Sequence, residues 1–229
     1  EPSHVASATI YAALDNHREN DFKPYLYVTH DWGKTWTSIA SNLPTNRPGS
    51  VYVVREDPVN PNLLYCGTEI GAFASLNKGG SWFQLTGNLP TVPVYDLQIH
   101  PRDHELIAGT HGRAVQILDV APLQQMKPAV LSASTYLFAP TTAFIYAQMI
   151  QGSEPRAQRP WKGDGGPSGA EIEYRLASAT TSPVRVLVVD AAGDTVARLT
   201  GTQAAGINHV SWNFAIGAGD IAGRGGRGG

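Results

Sequence analysis

An eight-residue pattern is written twice in this chain, as THDWGKTW at 29–36 and as SLNKGGSW at 75–82. Both copies read small hydroxyl, any residue, Asp or Asn, any residue, Gly, any residue, Thr or Ser, Trp. Repetition constrains a fold more than composition does, because each unit must bury its faces against its neighbours. The wording around the octets repeats as well. NLPT at 42–45 returns at 88–91, and VYVVREDP at 51–58 aligns with VYDLQIHP at 94–101. CGTEIGAFASLN at 66–77 aligns with AGTHGRAVQILD at 108–119, and IYAALD at 10–15 matches LYCGTE at 64–69. The period of about 42–46 residues suits a four-stranded unit of the propeller-blade kind.

In the complete copy the spacing predicts strands at 51–56, 62–68, 72–76 and 81–86. Their connections, DPVNP, EIG, NKGG and GNLPTVP, are short and rich in Gly, Pro and Asn, as an antiparallel meander requires. The octet then falls on the turn between third and fourth strands. There Thr29 or Ser75 opens the turn, Asp31 or Asn77 accepts hydrogen bonds from its amides, and Gly33 or Gly79 takes a left-handed backbone. Trp36 or Trp82 is expected to wedge between neighbouring sheets. On this reading the octet is a fastener and not a catalytic signature.

The octets resemble Asp-box (bacterial neuraminidase repeat) motifs. The wording between them, including DPVNPNLLYCGTEIG and THGRAVQILD, is similar to bacterial propellers of the sortilin-like and xyloglucanase-like superfamily. The resemblance covers residues 1 to about 122 and implies an all-β partial propeller of about two and a half four-stranded blades. It also implies that ligands are met on the face opposite the Asp boxes. The third copy, QILDVAPL, keeps Asp119 but has neither the Gly nor the Trp. A closed propeller needs about four to eight blades. The remaining blades are therefore expected to be missing from this chain or supplied in trans, and the chain reads as a C-terminal fragment.

After LDVAPLQQMKP the period stops, which sets a linker at 123–135. Strand patterns resume with TYLFAPTTAFIYAQ, AEIEYRLA, VRVLVVDAAGDTVARLTG and GINHVSWNFAI, and DAAGD marks a hairpin. GTQAAGINHVSWNF resembles a stretch of the flagellar-hook-capping-type Ig-like sandwich. This resemblance implies such a domain at 136–216, with Trp212 as a core aromatic. About five strands are legible where a complete sandwich has about seven, so the domain reads as incomplete. Residues 217–229 read as a Gly-rich flexible tail, since two Arg in a Gly run make a weak nucleic-acid signal.

Composition narrows the function. The formal net charge of −2 leaves no footprint for nucleic acid or an anionic membrane surface. Residues 128–153 carry no charge, but Pro128, Pro140 and Gly152 interrupt them. They never reach about 18 consecutive apolar residues, so they are not a membrane span. The single cysteine, Cys66, sits in an apolar run and reads as a small buried hydrophobe. No signal peptide opens the printed residues. A polar propeller with an appended Ig-like domain nevertheless points to an extracytoplasmic place, secreted or periplasmic.

The meander also sorts residues by face. Opposite the octets, the second-to-third strand turns bring Asp15, Glu69 and His111 to equivalent positions, with Arg113 nearby. An insertion, NHRENDFKPY, adds His17, Arg18, Glu19 and Asp21 beside the first of these turns. Loops on a rigid scaffold are where sites usually lie. The main expectation is a non-catalytic scaffold binding a protein, peptide or glycan on that face through Asp15, His17, Arg18, Glu69, His111 and Arg113. The alternative is a polysaccharide hydrolase using Asp15 and Glu69 as paired carboxylates, xyloglucanase-like more than sialidase-like. HPRDHE at 100–105 aligns with the plain turn DPVNPN and is not read as a metal site, and KGDGGPSG lacks the ending of a phosphate loop. No cofactor or metal is expected.

Overall fold

The repeats fold as three antiparallel sheets packed face to face. A computed structural model describes residues 1–46, 48–87, 89–143, 169–216 and 220–222. It divides the chain into Glu1–Lys127 and Pro128–Gly229. In the first unit, β1 (Ile10–Asn16), β2 (Asp21–Thr29) and β3 (Thr37–Ser38) make the first sheet. The second sheet runs β4 (Val51–Glu56), β5 (Leu64–Thr68), β6 (Gly71–Ser75) and β7 (Phe83–Gln84) in that order. The third is β8 (Val94–His100), β9 (Glu105–Thr110) and β10 (Val115–Asp119).

The second sheet lies between the other two, and its sequence shows why. Every residue of β5 and β6 is buried, as a sheet covered on both faces requires. Leu64, Cys66 and Phe73 pack with Tyr11, Leu26, Val28 and Ile39 of the first sheet and its following loop. Leu63, Tyr65, Ala72 and Ala74 pack with Leu97, Leu106 and Ala108 of the third. Gly67 lets β8 close in, since a Cβ there would lie 2.4 Å from the Val94 carbonyl oxygen. Cys66 is fully buried, which pushes its thiol pKa up and leaves it chemically inert.

The turn leading into β1, β5 and β9 is built three times with three different acceptors. Ser3 Oγ accepts the amides of Val5 and Ala6, and Asp57 Oδ1 accepts those of Val59 and Asn60 at 2.8 Å each. His100 Nδ1 accepts the amide of Asp103. Buried acids tie these turns across the stack. Glu56 accepts the Ser3 and Tyr11 hydroxyls, and Asp57 accepts the Tyr65 hydroxyl and the Gln124 amide. Burial, with these acids alongside, pushes both tyrosine pKa values up. In the third sheet no strand among the described residues fills the fourth-strand place. The chain turns instead into α1 (Ala121–Gln124), whose first amide is capped by Asp119, and Val120 and Leu123 enter the core.

The octets share their backbone-to-side-chain hydrogen bonds. Gly33 N donates to Thr29 Oγ1 and Thr35 N to Asp31 Oδ1, both at 2.9 Å. In the second copy Gly79 N donates to Ser75 Oγ and Ser81 N to Asn77 Oδ1, both at 2.8 Å. Paired left-handed residues, Trp32–Gly33 and Lys78–Gly79, close the turns. The indoles differ. Trp82 is 5% exposed; its Nε1 donates to Ile39 O at 2.6 Å, and the Asn42 side chain bonds both its N–H and its C=O. Trp36, expected to be wedged in the same way, is 44% exposed, and its Nε1 donates to Gly33 O of its own turn. The reason is positional. Trp82 reaches back to the sheet before its own, and among the described residues no sheet precedes that of Trp36.

Among the described residues the second unit holds α2 (Pro128–Ser132) and six strands. Their ranges are β11 (Thr135–Leu137), β12 (Ala170–Leu176), β13 (Val184–Val189), β14 (Thr195–Gly201), β15 (Gly206–Trp212) and β16 (Asp220–Ala222). They form two sheets, β11-β12-β15 and β13-β14-β16. The Asp190–Asp194 hairpin is closed by Asp190 Oδ1, which accepts the amides of Ala192 and Asp194, with Gly193 left-handed. Tyr174, Leu176, Ala197, Leu199 and Val210 are buried. Trp212, expected in the core, is only half-buried. It ends β15, and its indole folds onto the next turn, donating to Ala215 O and meeting Phe214 at 5.0 Å. The 123–135 stretch expected as a linker carries the end of α1 and all of α2. Of the expected tail, 220–222 pair parallel to β14, and 223–229 lie outside the described residues, as do 144–168. The all-β class holds across the described residues.

Candidate functional site

The first unit has two rims. One carries the octets and the first-to-second strand turns, whose polar groups are spent on internal hydrogen bonds. The other carries the turns after β1, β5 and β9, which hold Asp15, Glu69 and His111. On this second rim the structure adds a feature absent from the sequence reading. β4 carries a bulge between the pairs Val51↔Thr68 and Val53↔Gly67, so Tyr52 is the extra residue. β8 repeats it between Val94↔Thr110 and Asp96↔Gly109, with Tyr95 as the extra residue. A bulge re-aims the side chain it displaces. Here it turns two equivalent tyrosines toward two equivalent turn residues.

The result is a row across the sheets. The Tyr52 hydroxyl donates to Glu69 Oε2. Tyr95 stands edge-on to Tyr52, with ring centroids 4.5 Å apart, and edge-on to His111 at 5.6 Å. Tyr95 remains 48% exposed, so an aromatic surface is offered to solvent. Burial, the bond to Glu69 and the charges of Glu69 and Asp15 push the Tyr52 pKa up, keeping it a neutral donor.

Asp15 extends the row into the first sheet. Its Oδ1 accepts the His17 amide and its Oδ2 contacts His17 Nδ1. Burial alone would raise its pKa, but the His17 backbone and ring bonds and the Ser50 hydroxyl hold it below the usual carboxylate value. Ser50 Oγ is buried and has no hydrogen-bond partner among the described residues. Asp15 and Glu69 thus both bear on Tyr52. Arg18 and Arg113 stand exposed at loop tips, and neither side chain joins the row.

Beside the tyrosines, along the inner edges of β1, β4 and β8, lies a recess of about 390 Å³. Arg55 spans it. Its Nη2 donates to Asp96 Oδ1 and its Nε to Leu97 O, both at 2.8 Å, and its Nη1 reaches Glu1 Oε2 at 3.5 Å. Tyr52, Tyr95, Arg55 and Asp96 were not singled out from sequence. The available signal was the Val-Tyr pair in both SVYVVRE and PVYDLQIH, which reads as ordinary strand until the bulges are seen. His100 and His104 serve the turn and α1, since His104 Nδ1 meets Gln124 Oε1 at 2.6 Å.

No protein-family model matches the chain, and comparison with curated proteins finds no match. Among solved structures, the fold is similar to the crystal structure of an ancestral GH74 enzyme, with a TM-score of 0.37 and 14% identity. The match covers 88% of this chain, which spans 27% of that enzyme's length. At that level the likeness says nothing of activity. No helix among the described residues is long and apolar enough to cross a membrane.

Proposed function

We propose that this chain is part of an Asp-box propeller acting as a non-catalytic recognition scaffold. Its ligand is a protein, peptide or glycan met on the rim opposite the octets. The observation that carries this reading is the repeated bulge, which aims Tyr52 and Tyr95 at Glu69 and His111. Bulges disrupt a ladder and recur next to binding sites, where they re-aim a side chain. Exposed tyrosine with adjoining acceptors is the surface that rigid recognition sites favour. On the other rim the hydroxyl and Asp or Asn side chains of the octets bond within their own turns.

Further sheets are the partners implied at the Trp36 end of the stack. The model for that contact is internal: Ile39 and Asn42 of one repeat receive Trp82 of the next. A sheet bringing an equivalent Asn-Leu-Pro segment would cover Trp36.

A glycoside hydrolase is the second reading, favoured by one observation: both Asp15 and Glu69 act on Tyr52. Against it, a glycosidase pair needs one carboxylic acid held protonated. Asp15 is held ionised, and one Glu69 oxygen is already taken by Tyr52. Screening the chain against peptide and glycan arrays, with Tyr95→Ala beside the parent, tests binding. Turnover of a β-glucan panel that is lost in both Asp15→Asn and Glu69→Gln, with unchanged melting temperature, would establish the hydrolase instead.

A further inference from the structure

Acids near the Tyr52–Tyr95 row are unevenly neutralised. Asp96, next to Tyr95 in the chain, has the Arg55 guanidinium 2.8 Å away. Glu69 has no such partner. One of its oxygens accepts the Tyr52 hydroxyl, and the other meets no hydrogen-bond donor among the described residues. Among the same residues no Lys or Arg nitrogen comes within ion-pair distance of Glu69, or of Asp15, whose partner is His17.

This unbalanced charge lies against aromatic rings. The Tyr52 hydroxyl bonds to Glu69, and the Tyr52 ring stands 4.5 Å, centroid to centroid, from that of Tyr95. Tyr95 keeps nearly half of its surface exposed. Glu69 and Asp15 both act on the Tyr52 hydroxyl, which places the aromatic pair in a negative field. The face of a tyrosine ring itself attracts a cation lying within about 6 Å of its centroid. The two tyrosines and Glu69 stand on β4, on β8 and on the turn after β5. β4 pairs with β5, and β8 with β9, from end to end, so their arrangement does not depend on the first sheet.

We propose that the ligand of this rim is a basic polypeptide segment, which presents an arginine or lysine side chain to the Tyr95 ring and the open Glu69 oxygen. The inference rests on the recognition reading above and narrows it to one ligand chemistry. An ammonium or guanidinium head supplies the counter-charge that Glu69 lacks. The charge-assisted hydrogen bond it donates is stronger than one from a neutral hydroxyl. The apolar stem of the same side chain lies along the tyrosine ring. A neutral sugar would leave the carboxylate without a counter-ion, and an acidic segment would be repelled.

The test uses the full chain and Gly-Ser peptides that differ only in one central residue, Arg, Lys, Gln or Glu. Amide chemical shifts read the site, and their titration reads the affinity. The Arg and Lys peptides should shift Glu69 and Tyr95, bind several-fold more tightly than the Gln peptide, and weaken as salt rises. Glu69→Gln should erase that preference. Tyr95→Ala should weaken the cationic peptides several-fold and Tyr95→Phe should restore them, since the ring meets the cation; melting temperatures show that each variant is folded. A Gln peptide that binds the row as tightly as the Arg peptide overturns the cationic inference and leaves the recognition reading standing. A preference for Arg that survives Glu69→Gln overturns it as well. So do Arg and Lys peptides that leave the row unshifted at millimolar concentration, and a glycan that shifts it would then keep the scaffold reading alone.

Discussion

Replacing Trp82 with alanine should cost far more than replacing Trp36, although the two octets are nearly interchangeable as text. A buried indole removes roughly 150–250 Å² from water, worth about 4–6 kcal/mol at the usual coefficient. Large-to-alanine truncations in cores fall at about 3–5 kcal/mol. Trp82 sits in that regime, at 5% exposure among Tyr11, Leu26, Val28, Ile39 and Leu43. Its loss also strips Ile39 O of its indole donor, adding about 1 kcal/mol. Trp36 is 44% exposed and bonds only to its own turn, so Trp36→Ala should cost about 1–2 kcal/mol. Urea unfolding followed by far-UV circular dichroism reads the difference. With a slope of about 1–3 kcal/mol/M, the midpoints of the two variants should separate by about 1 M or more. Trp82→Phe should fall between, keeping most of the area and losing the donor. Equal midpoints for the two alanine variants would refute the claim that the octet's tryptophan fastens its sheet to the preceding one.

The remaining predictions concern the turns and the rim. Gly79→Ala should destabilise more than Gly33→Ala, because both are left-handed but only at Gly79 would the new methyl lie 2.8 Å from Ile39; thermal midpoints check it. Bonds from the Thr35 amide and hydroxyl, and from Thr29, hold the Asp31 pKa down at about 2. A depressed folded-state value means the carboxylate's contribution is complete above about pH 4 and fades as pH falls toward 2. Asp31→Asn, which makes the first octet like the second, should remove that acid sensitivity from exchange of the Thr35 amide. Tyr52→Phe should leave the fold intact and lower the Glu69-dependent part of any binding on the rim, seen as non-additivity with Glu69→Gln. Cys66 should resist a thiol reagent until urea unfolds the first unit.

The sheets were legible because their signals are local and redundant. Repeated turn residues set each corner, and the continuous apolar runs LLYCGT and GAFAS announce a sheet covered on both faces. The rim positions of Asp15, Glu69 and His111 followed from the meander. What was not legible depends on neighbours. Trp36 and Trp82 carry the same motif, yet their burial differs because the wedge is completed by the preceding sheet. The resemblance made Trp212 a core aromatic, but it lies at a strand end and folds back on its own turn. The Tyr52 and Tyr95 bulges leave no mark in a strand pattern, since one extra residue looks like a shift of alternation. α1 replaces a fourth strand through Val120 and Leu123, whose apolar character alone does not say helix or strand.

The most direct measurement is an amide-exchange and chemical-shift footprint of the first peptide or glycan that an array shows the chain to retain. The account predicts perturbation at Tyr52, Glu69, Tyr95 and His111, with the octet amides of Gly33, Thr35, Gly79 and Ser81 unchanged. A footprint on those octet amides, with the tyrosine row silent, would contradict it.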